Sequence, residues 1–340
     1  MADAFSAALK RLLAAESLTR PAARAAMGAV LDGAATDAQV GAFLAALRVR
    51  GETVLEIVGF AEAMRARAKR VTVRRRPLLD TCGTGGDGAG TFNISTTVAF
   101  IAAGAGAAVA KHGNRAVSSR SGSADVLEAL GVRTDLTPAQ AAACVEKIGI
   151  GFLFAPTHHA GVARVAPIRR QLGARTVFNL LGPLCNPAGA PCQLICVYST
   201  ALVRPIAEAL RMLGAQRALV VSARDGLDEL TLSGVTVVAT LSGGRVRIEE
   251  ITPEDVGLKR RPLLALKGGD AKRNAEILRA VLAGTPGPAR EASLFNAAAA
   301  LRAAGLARDW REGLARAADS IDSGRALAAL DALARRTARE

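Results

Sequence analysis

The sequence predicts an α/β protein in which a small all-helical N-terminal domain precedes a larger α/β domain with a mainly parallel central sheet. Two observations lead to this fold class. Apolar residues recur at helical spacing up to about residue 70, and short apolar runs alternate with helical segments after it. A chain of 340 residues is long enough for about two domains. We therefore assign residues 1–70 to the helical domain and residues 71–340 to the α/β domain.

The helical domain is predicted to contain four helices. Its apolar residues repeat every three to four positions, and glycine or proline interrupts the pattern near residues 20, 33 and 51. Thr19, before Pro21, and Thr36 are the expected N-caps, because a threonine hydroxyl accepts a free amide hydrogen of the first helical turn.

The α/β domain begins after a basic stretch, Lys69 to Arg76. Apolar runs predict strands at 78–80, 107–110, 152–154, 193–198 and 217–222, and helical segments lie between them. This alternation is typical of a parallel sheet covered on both faces. A hairpin is expected at 235–241 and 245–249, around a Ser-Gly-Gly turn. From about Asn274 the chain is expected to be helical and to close over the sheet.

Composition excludes some classes of protein and leaves others open. Half of the residues are hydrophobic and 22% are charged, which excludes intrinsic disorder and a small disulfide-stabilised scaffold. The 44 Lys and Arg against 30 Asp and Glu give a net charge of +14, which is compatible with nucleic acid or a polyanionic substrate as a partner and equally with a compositional bias toward arginine. Only 3% of residues are aromatic. Many nucleic-acid-binding proteins stack bases on aromatic side chains, so this low content disfavours nucleic acid as a partner, although the charge does not exclude it.

Secretion and membrane insertion are not predicted. The N-terminus lacks a basic region followed by an apolar one, and the uncharged run at 88–110 contains the glycines and hydroxyl residues of a buried turn, helix and strand. The five cysteines lack the C-x-x-C spacing of zinc or redox sites, so we expect free thiols in a reducing cytoplasm.

A glycine-rich segment, Asp80 to Thr97, is the first candidate site. It follows a strand and leads into a helix, so its backbone amides can converge on an anion at a helix N-terminus. Although Gly83-x-Gly85-x-x-Gly88 matches a dinucleotide fingerprint, the next strand ends in Lys111 instead of an acidic residue. No Gly-Lys-Ser/Thr of a Walker loop follows. We therefore expect a phosphate site of another kind.

Two further segments follow strands of the same predicted sheet. Lys111 to Asp125 carries cations and hydroxyls that would bracket a polyphosphate together with the glycine-rich segment. Asp225 to Leu230 contains Asp228 and Glu229, adjacent carboxylates suited to a hard cation that binds jointly with phosphate. Mg²⁺ is the natural candidate for that cation.

A fourth candidate segment contains His158 and His159 and continues from Val165 to Pro187. An arginine beside apolar, proline-bounded surface suits a planar aromatic carboxylate. The two histidines have no further nitrogen or thiolate ligands at useful spacing, so zinc is not predicted. Because the chain has three histidines and no Gly-x-Ser-x-Gly motif, covalent catalysis is disfavoured.

From about Phe5 to Leu333 the chain resembles the anthranilate phosphoribosyltransferases of the tryptophan pathway. The resemblance rests on five motifs in a fixed order. They are Gly83-Thr-Gly-Gly-Asp87, Asn93-Ile-Ser-Thr96, Lys111-His-Gly-Asn-Arg-Ala-Val-Ser-Ser119, Arg175-Thr-Val-Phe-Asn-Leu-Leu-Gly-Pro183 and Asp225-Gly-Leu-Asp-Glu-Leu230.

The resemblance implies the fold of nucleoside phosphorylases and phosphoribosyltransferases, with a segment near residues 168–188 returning to the helical domain. It implies a cytoplasmic homodimer that forms through the helical domains. The activity that it implies is Mg²⁺-dependent transfer of phosphoribose from phosphoribosyl pyrophosphate to the amine of anthranilate.

The resemblance also implies roles for individual residues. The catalytic residues would be Asp228, Glu229 and Lys111, and the metal ligands Ser95, Asp228 and Glu229. Phosphoribosyl pyrophosphate would contact Gly83, Gly86, Asp87, Thr91, Asn93, Ser95, Thr96, Lys111, Ser119 and Ser123. Anthranilate would contact Gly83, Asn114, Arg169, His112, His159 and Pro183.

The chemistry of the residues agrees with this assignment, because the reaction needs a stabilised pyrophosphate leaving group and an aligned amine, but no strong general base. The family often carries His-Pro-Ala-Met where this chain has His159-Ala-Gly-Val162, so the resemblance does not determine how the aromatic substrate enters. A pyrimidine nucleoside phosphorylase and a nucleic-acid-binding paralogue of the same fold without this activity are the alternatives.

Overall fold

The computed structural model describes residues 2–116 and 120–338. Its N-terminal part consists of the helices α1 (Ala2–Leu13), α2 (Arg20–Asp32), α3 (Asp37–Arg50) and α4 (Val54–Arg67). The hydroxyls of Thr19, Thr36 and Thr53 accept hydrogen bonds from amides in the first turns of α2, α3 and α4. The N-caps predicted at Thr19 and Thr36 are therefore confirmed, and Thr53 is a third.

Seven strands form one sheet in the order β3-β2-β1-β4-β5-β6-β7. They are β1 (Leu78–Gly83), β2 (Ala108–Gly113), β3 (Ile150–Phe154), β4 (Cys192–Cys196), β5 (Arg217–Ala223), β6 (Thr236–Ser242) and β7 (Arg245–Ile251). Strands β1 to β5 are parallel, whereas β6 and β7 form an antiparallel hairpin on β5. The chain proceeds outward from β1 through β2 and β3, and on the other side through β4 and β5. The topological switch point therefore lies between β1 and β4.

Helices cover both faces of the sheet. They are α5 (Ile94–Gly104), α6 (Ser123–Ala129), α7 (Pro138–Ile148), α8 (Ala155–His158), α9 (Val162–Leu172), α10 (Phe178–Leu184), α11 (Val203–Met212), α12 (Ala271–Leu282), α13 (Pro288–Ala303), α14 (Trp310–Asp322) and α15 (Arg325–Thr337). One core, which includes Phe100, Leu194 and Phe295, joins the sheet to α5 and α12–α15. A second core, which includes Phe43 and Ile195, joins the other face to α11 and the N-terminal helices. Leu194 and Ile195 belong to opposite cores because successive strand residues point to opposite faces.

The predicted fold class is confirmed, since a small helical part precedes an α/β part with a mostly parallel sheet. The observed strands differ from the predicted ones by a few residues. β1 and β2 continue to Gly83 and Gly113, because backbone pairing extends past the apolar runs from which the strands were predicted. α9 packs on α2 and α3, and α10 packs on α4. The boundaries at residues 70 and 71 and dimerisation through the helical part stay predictions.

Within the described residues, no helix is long and apolar enough to cross a membrane. The uncharged run at 88–110 is divided among a loop, helix α5 and the start of strand β2, as predicted. None of the five cysteines, all of which lie in the described part of the chain, forms a disulfide bond.

Candidate active site

The candidate site lies at the carboxyl ends of β1, β2 and β4, where open α/β sheets bind ligands. Gly83 at the end of β1 pairs with Cys196 at the end of β4, and the amide of Thr84 donates to the Cys196 carbonyl at 2.8 Å. A Cβ atom on Gly83 would lie 3.2 Å from that carbonyl oxygen and 3.6 Å from a carboxylate oxygen of Asp228. Glycine at position 83 therefore keeps this crowded junction open.

The glycine-rich loop between β1 and α5 has a backbone shape that needs glycine. Gly85, Gly86, Gly88 and Gly90 have φ angles of 63°, 83°, 75° and 65°, a left-handed conformation that costs other residues free energy. The far end of the loop is anchored to the segment before α12, because the amide of Phe92 donates to Leu266 and the amide of Gly268 donates to Gly90. Thr91 forms a β-bridge with Lys267 in the same place. The loop leads into the N-terminus of α5, and backbone amides of a glycine-rich loop at a helix N-terminus can bind phosphate.

Lys111 is the one predicted cation that enters the site from a strand. Its side chain is buried, and its ammonium donates to the Thr81 carbonyl and lies 3.4 Å from the Ser95 hydroxyl at the start of α5. The neighbouring Thr96 hydroxyl is buried and has no hydrogen-bond partner within the described residues. Lys111 and Ser95 are thus brought together, and Thr96 follows Ser95 in α5; the phosphate contacts of these residues stay predictions.

The second loop, between β2 and α6, is shaped by Asp125. One oxygen of this carboxylate accepts the amides of Ala116 and Gly122, and the other accepts Arg115. The Ser123 hydroxyl donates to the Asn114 carbonyl at 3.2 Å. Ser119, predicted to contact phosphate, lies outside the described residues.

Asn93 connects the two loops. Its side-chain amide donates to the Ser121 carbonyl at 3.2 Å, and its oxygen accepts from buried Asn274 in α12 at 2.9 Å. Because these two bonds occupy Asn93, its side chain joins the glycine-rich loop to the second loop and to α12. The predicted phosphate contact of Asn93 stays a prediction.

Three carboxylates, those of Asp87, Asp228 and Glu229, converge on the glycine-rich loop. The amide of Asp228 lies 3.4 Å from an oxygen of Asp87, and the carboxylate of Asp87 raises the pKa of Asp228. Burial, together with the charges of Asp87 and Glu229, raises the pKa of Asp228 well above its usual range. Burial also raises the pKa of Glu229 to about 7, against the opposing effects of Cys196 and Lys111.

The oxygen donors and their mutual repulsion fit a hard divalent cation. Among the described residues none of these three carboxylates forms an ion pair, and the charge of Lys111 acts on Glu229. A divalent cation prefers carboxylate and hydroxyl oxygens, and it would relieve the repulsion that raises the pKa of Asp228. The predicted metal ligands Asp228 and Glu229 are therefore adjacent in space, and Ser95 contacts Lys111 beside them.

The predicted acceptor pocket is lined by neutral groups. Burial lowers the pKa of His112 to about 3 and that of His159 to about 4, and their ring centroids are 5.2 Å apart. His112 Nδ1 bonds to the Gly182 carbonyl, next to Pro183, and His159 Nε2 bonds to the Cys185 carbonyl. His112 Nε2 is buried without a partner within the described part of the chain. Both rings are therefore neutral near pH 7.

Arg169 is the charged group on this side of the site. Its guanidinium lies over the ring of Phe178 at 5.5 Å and 3.4 Å from the side-chain oxygen of Asn179. No carboxylate forms an ion pair with it among the described residues. This half-buried guanidinium can therefore accept the carboxylate of a ligand.

Several contributors to the site were missed in the sequence. Asn186 donates to Asp80 at 2.7 Å and to the Ala110 carbonyl at 2.8 Å, which joins the segment after α10 to β1 and β2. Arg175 stacks on Tyr198 at 4.2 Å and borders Gly86. Asn274 contacts Asn93, and Cys196 contacts Glu229. Arg175 and Asn186 lie in the fourth candidate segment but were given no role there. No local pattern marks Cys196 or Asn274, because their partners are distant in the sequence.

The protein families that the chain matches divide it into the same helical and α/β parts as the structure does. Residues 75–327 match the α/β domain of the glycosyl transferase family, and residues 6–68 match the helical bundle domain of that family. The anthranilate phosphoribosyltransferase of Symbiobacterium thermophilum is 53% identical over 327 residues, which is 96% of each chain. That of Moorella thermoacetica is 54% identical over 329 residues, or 97% of each chain.

Solved structures of anthranilate phosphoribosyltransferases have the same fold as this chain. The anthranilate phosphoribosyltransferase of Thermus thermophilus is 46% identical and superimposes with a TM-score of 0.93 over 97% of this chain and 99% of that one. The Saccharomyces cerevisiae enzyme in complex with phosphoribosyl pyrophosphate and Mg is 29% identical, with a TM-score of 0.90 over 99% of this chain and 98% of that one.

Proposed function

This chain belongs to the anthranilate phosphoribosyltransferase family, and we propose that it transfers the 5-phosphoribosyl group of phosphoribosyl pyrophosphate to the amine of anthranilate. The products are N-(5-phosphoribosyl)anthranilate and pyrophosphate. The observation that carries the proposal is the convergence of a glycine-rich loop, buried Lys111 and three carboxylates at the switch point of the sheet, none of which forms an ion pair within the described residues.

The donor side holds the phosphoribosyl pyrophosphate. The loop amides near Gly83 and Gly86 and the N-terminus of α5 bind phosphate oxygens, and Lys111 supplies a positive charge beside Ser95. Mg²⁺, held by Ser95, Asp228 and Glu229, would offset negative charge on the departing pyrophosphate when it is bound. Asp87, Thr91, Asn93, Thr96, Ser119 and Ser123 are the remaining proposed phosphoribosyl pyrophosphate ligands.

The acceptor side holds anthranilate by its carboxylate and its ring. Arg169 binds the carboxylate, and Asn114, Gly83, His112, His159 and Pro183 line the pocket. Because the two imidazoles are neutral, they offer apolar and hydrogen-bonding surface without a second positive charge. The aromatic amine is therefore oriented toward the sugar carbon and not protonated by its surroundings.

The reaction exchanges one bond at the sugar carbon. The bond from carbon to the pyrophosphate oxygen breaks, a bond from the same carbon to the anthranilate nitrogen forms, and the nitrogen loses a proton to water. Charge on the leaving group develops on the donor side, where Lys111 and the loop amides are already aligned. Alignment and charge stabilisation supply the rate enhancement, so no residue is assigned as a strong general base.

We further propose that the protein is a cytoplasmic homodimer that forms through the helical part. Leu13, Val49 and Leu55 are large hydrophobic side chains exposed on α1, α3 and α4, and Val49 is 89% exposed. The free thiols support a reducing compartment. Sedimentation analysis should give twice the chain mass, and a single chain mass at micromolar protein would contradict the dimer.

The activity is tested by the fluorescence of anthranilate. Purified protein, phosphoribosyl pyrophosphate and Mg²⁺ should consume anthranilate, and EDTA should stop the reaction. Folded protein that leaves anthranilate unchanged would overturn the proposal. A salt-titrated nucleic-acid binding assay would then test the paralogue alternative.

A further inference from the structure

The last residue of β4, Cys196, contacts a proposed metal ligand. Its sulfur lies 2.9 Å from Oε2 of Glu229, and both residues are buried. Two bare acceptors do not approach this closely, so the thiol hydrogen lies between them and is donated to the carboxylate. Glu229 follows β5 in the chain, and this contact therefore ties it to the neighbouring strand.

The carboxylate of Glu229 is held from two directions. Cys196 donates to Oε2, and the backbone amide of Ser95 at the start of α5 acts on the same carboxylate and lowers its pKa. No arginine forms an ion pair with Glu229 within the described residues. Its orientation thus depends on a thiol, a backbone amide and the nearby charge of Lys111.

We propose that Cys196 is a positioning residue that orients the Glu229 carboxylate for the divalent cation. The inference rests on the proposed function, since it concerns the metal of that reaction. Groups that hydrogen-bond to a metal ligand fix its orientation, and their loss typically weakens metal binding about 10- to 100-fold. A thiol is a weak donor, so we expect the lower end of that range.

The size of the side chain at position 196 is part of the argument. A Cβ atom on Gly83 would lie 3.4 Å from the Cβ of Cys196, so the β1–β4 junction has little spare volume. Serine fits that volume and keeps a donor, whereas alanine fits it and removes the donor. Cys192, buried at the opposite end of the same strand, provides a matched control.

The experiment measures metal binding and turnover separately. Mn²⁺ binding to the full chain is followed by electron paramagnetic resonance in the presence of phosphoribosyl pyrophosphate, without anthranilate. Cys196→Ala should raise the Kd for Mn²⁺ about tenfold, and Cys196→Ser should restore it to within about threefold of the natural protein. Cys192→Ala should leave the Kd unchanged. In steady state, Cys196→Ala should need more Mg²⁺ while its KM for anthranilate stays the same.

Equal Mn²⁺ affinity in natural and Cys196→Ala proteins would overturn the positioning role, even if both proteins are active. Failure of the proposed function gives a different result, because the natural protein itself would then show no turnover. Should the alanine variant not fold, the infrared S–H band of the natural protein decides. We expect one thiol band, that of the Cys196 hydrogen bond to Glu229, to shift when Mn²⁺ and phosphoribosyl pyrophosphate bind, and an unshifted band would contradict the proposal.

Discussion

The donor side and the acceptor side of the site differ in how many charged side chains they contain. On the donor side, Asp87, Asp228 and Glu229 crowd together beside Lys111, and burial with like-charge repulsion raises the pKa of Asp228. On the acceptor side, His112 and His159 are held neutral by burial, and Arg169 rests on an aromatic ring. The donor side therefore holds several ionisable groups close together, whereas the acceptor side holds neutral rings and one guanidinium.

This difference indicates how the two sides divide the work. Charged groups aligned before the reaction stabilise the charge that develops as pyrophosphate leaves, so the donor side should control the rate. Neutral rings and one guanidinium contribute similar binding energy to the ground state and the transition state, so the acceptor side should control selection of the substrate. Changes on the donor side should therefore have larger effects.

The largest effect is expected from removing the metal ligands. Asp228→Asn with Glu229→Gln should lower Mg²⁺-dependent kcat by about 1,000-fold or more, because the leaving group loses several kcal/mol of charge stabilisation. The same double variant should unfold at an equal or higher temperature without Mg²⁺, since two carboxylates with raised pKa values no longer repel. Turnover is followed by fluorescence and unfolding by calorimetry.

Asp225→Asn is the matched control for this variant. Asp225 lies in the same sequence motif, but its carboxylate accepts the Leu227 amide and the hydroxyls of Thr231 and Ser233. It should lose stability and keep its Mg²⁺ dependence. Near-normal turnover of the double variant at low Mg²⁺ would show that these carboxylates do not hold the metal.

Lys111→Met should have the next largest effect. Methionine preserves the buried volume but removes the charge beside Ser95, so we expect kcat/KM for phosphoribosyl pyrophosphate to fall about 100-fold. Lys147→Met, at an exposed position in the last turn of α7, should change it less than about twofold. Calorimetry that finds unchanged phosphoribosyl pyrophosphate affinity would remove Lys111 from the site.

The donor side was also the easier side to predict from sequence. Its glycines, Lys111 and the Asp228-Glu229 pair follow strands in short, chemically distinctive segments, so local reading finds them. Cys196 and Asn274 escaped because each acts on a residue more than 30 positions away and leaves no local pattern. On the acceptor side, Arg169 and His159 gain their meaning from the resemblance, since an isolated arginine or histidine has many structural roles.

Arg169→Ala tests the acceptor side. Losing a charge-assisted bond to a carboxylate costs about 1.5–3 kcal/mol, so the KM for anthranilate should rise about 10- to 100-fold. The KM for phosphoribosyl pyrophosphate should change less than about threefold. Arg170→Ala, at an exposed neighbour, is the control. An equal rise in both KM values would contradict the division between the two sides.

The smallest effect concerns stability and pH on the acceptor side. The pKa of His112 is about 3 in the folded protein and about 6.5 in the unfolded chain. As the pH falls below 6.5, the unfolded chain therefore becomes protonated at His112 while the folded protein does not, which favours unfolding. This group alone should cost about 2 kcal/mol of stability on going from pH 8 to pH 5.

Asp80 and Glu229 act in the opposite direction, because their folded pKa values of about 6 and 7 are raised. Comparison with His112→Asn cancels their contribution, and the urea midpoint of that variant should fall less between pH 8 and pH 5 than the midpoint of the natural protein. An identical fall would mean that His112 titrates normally and that the acceptor pocket is not the neutral environment that distinguishes it from the donor side.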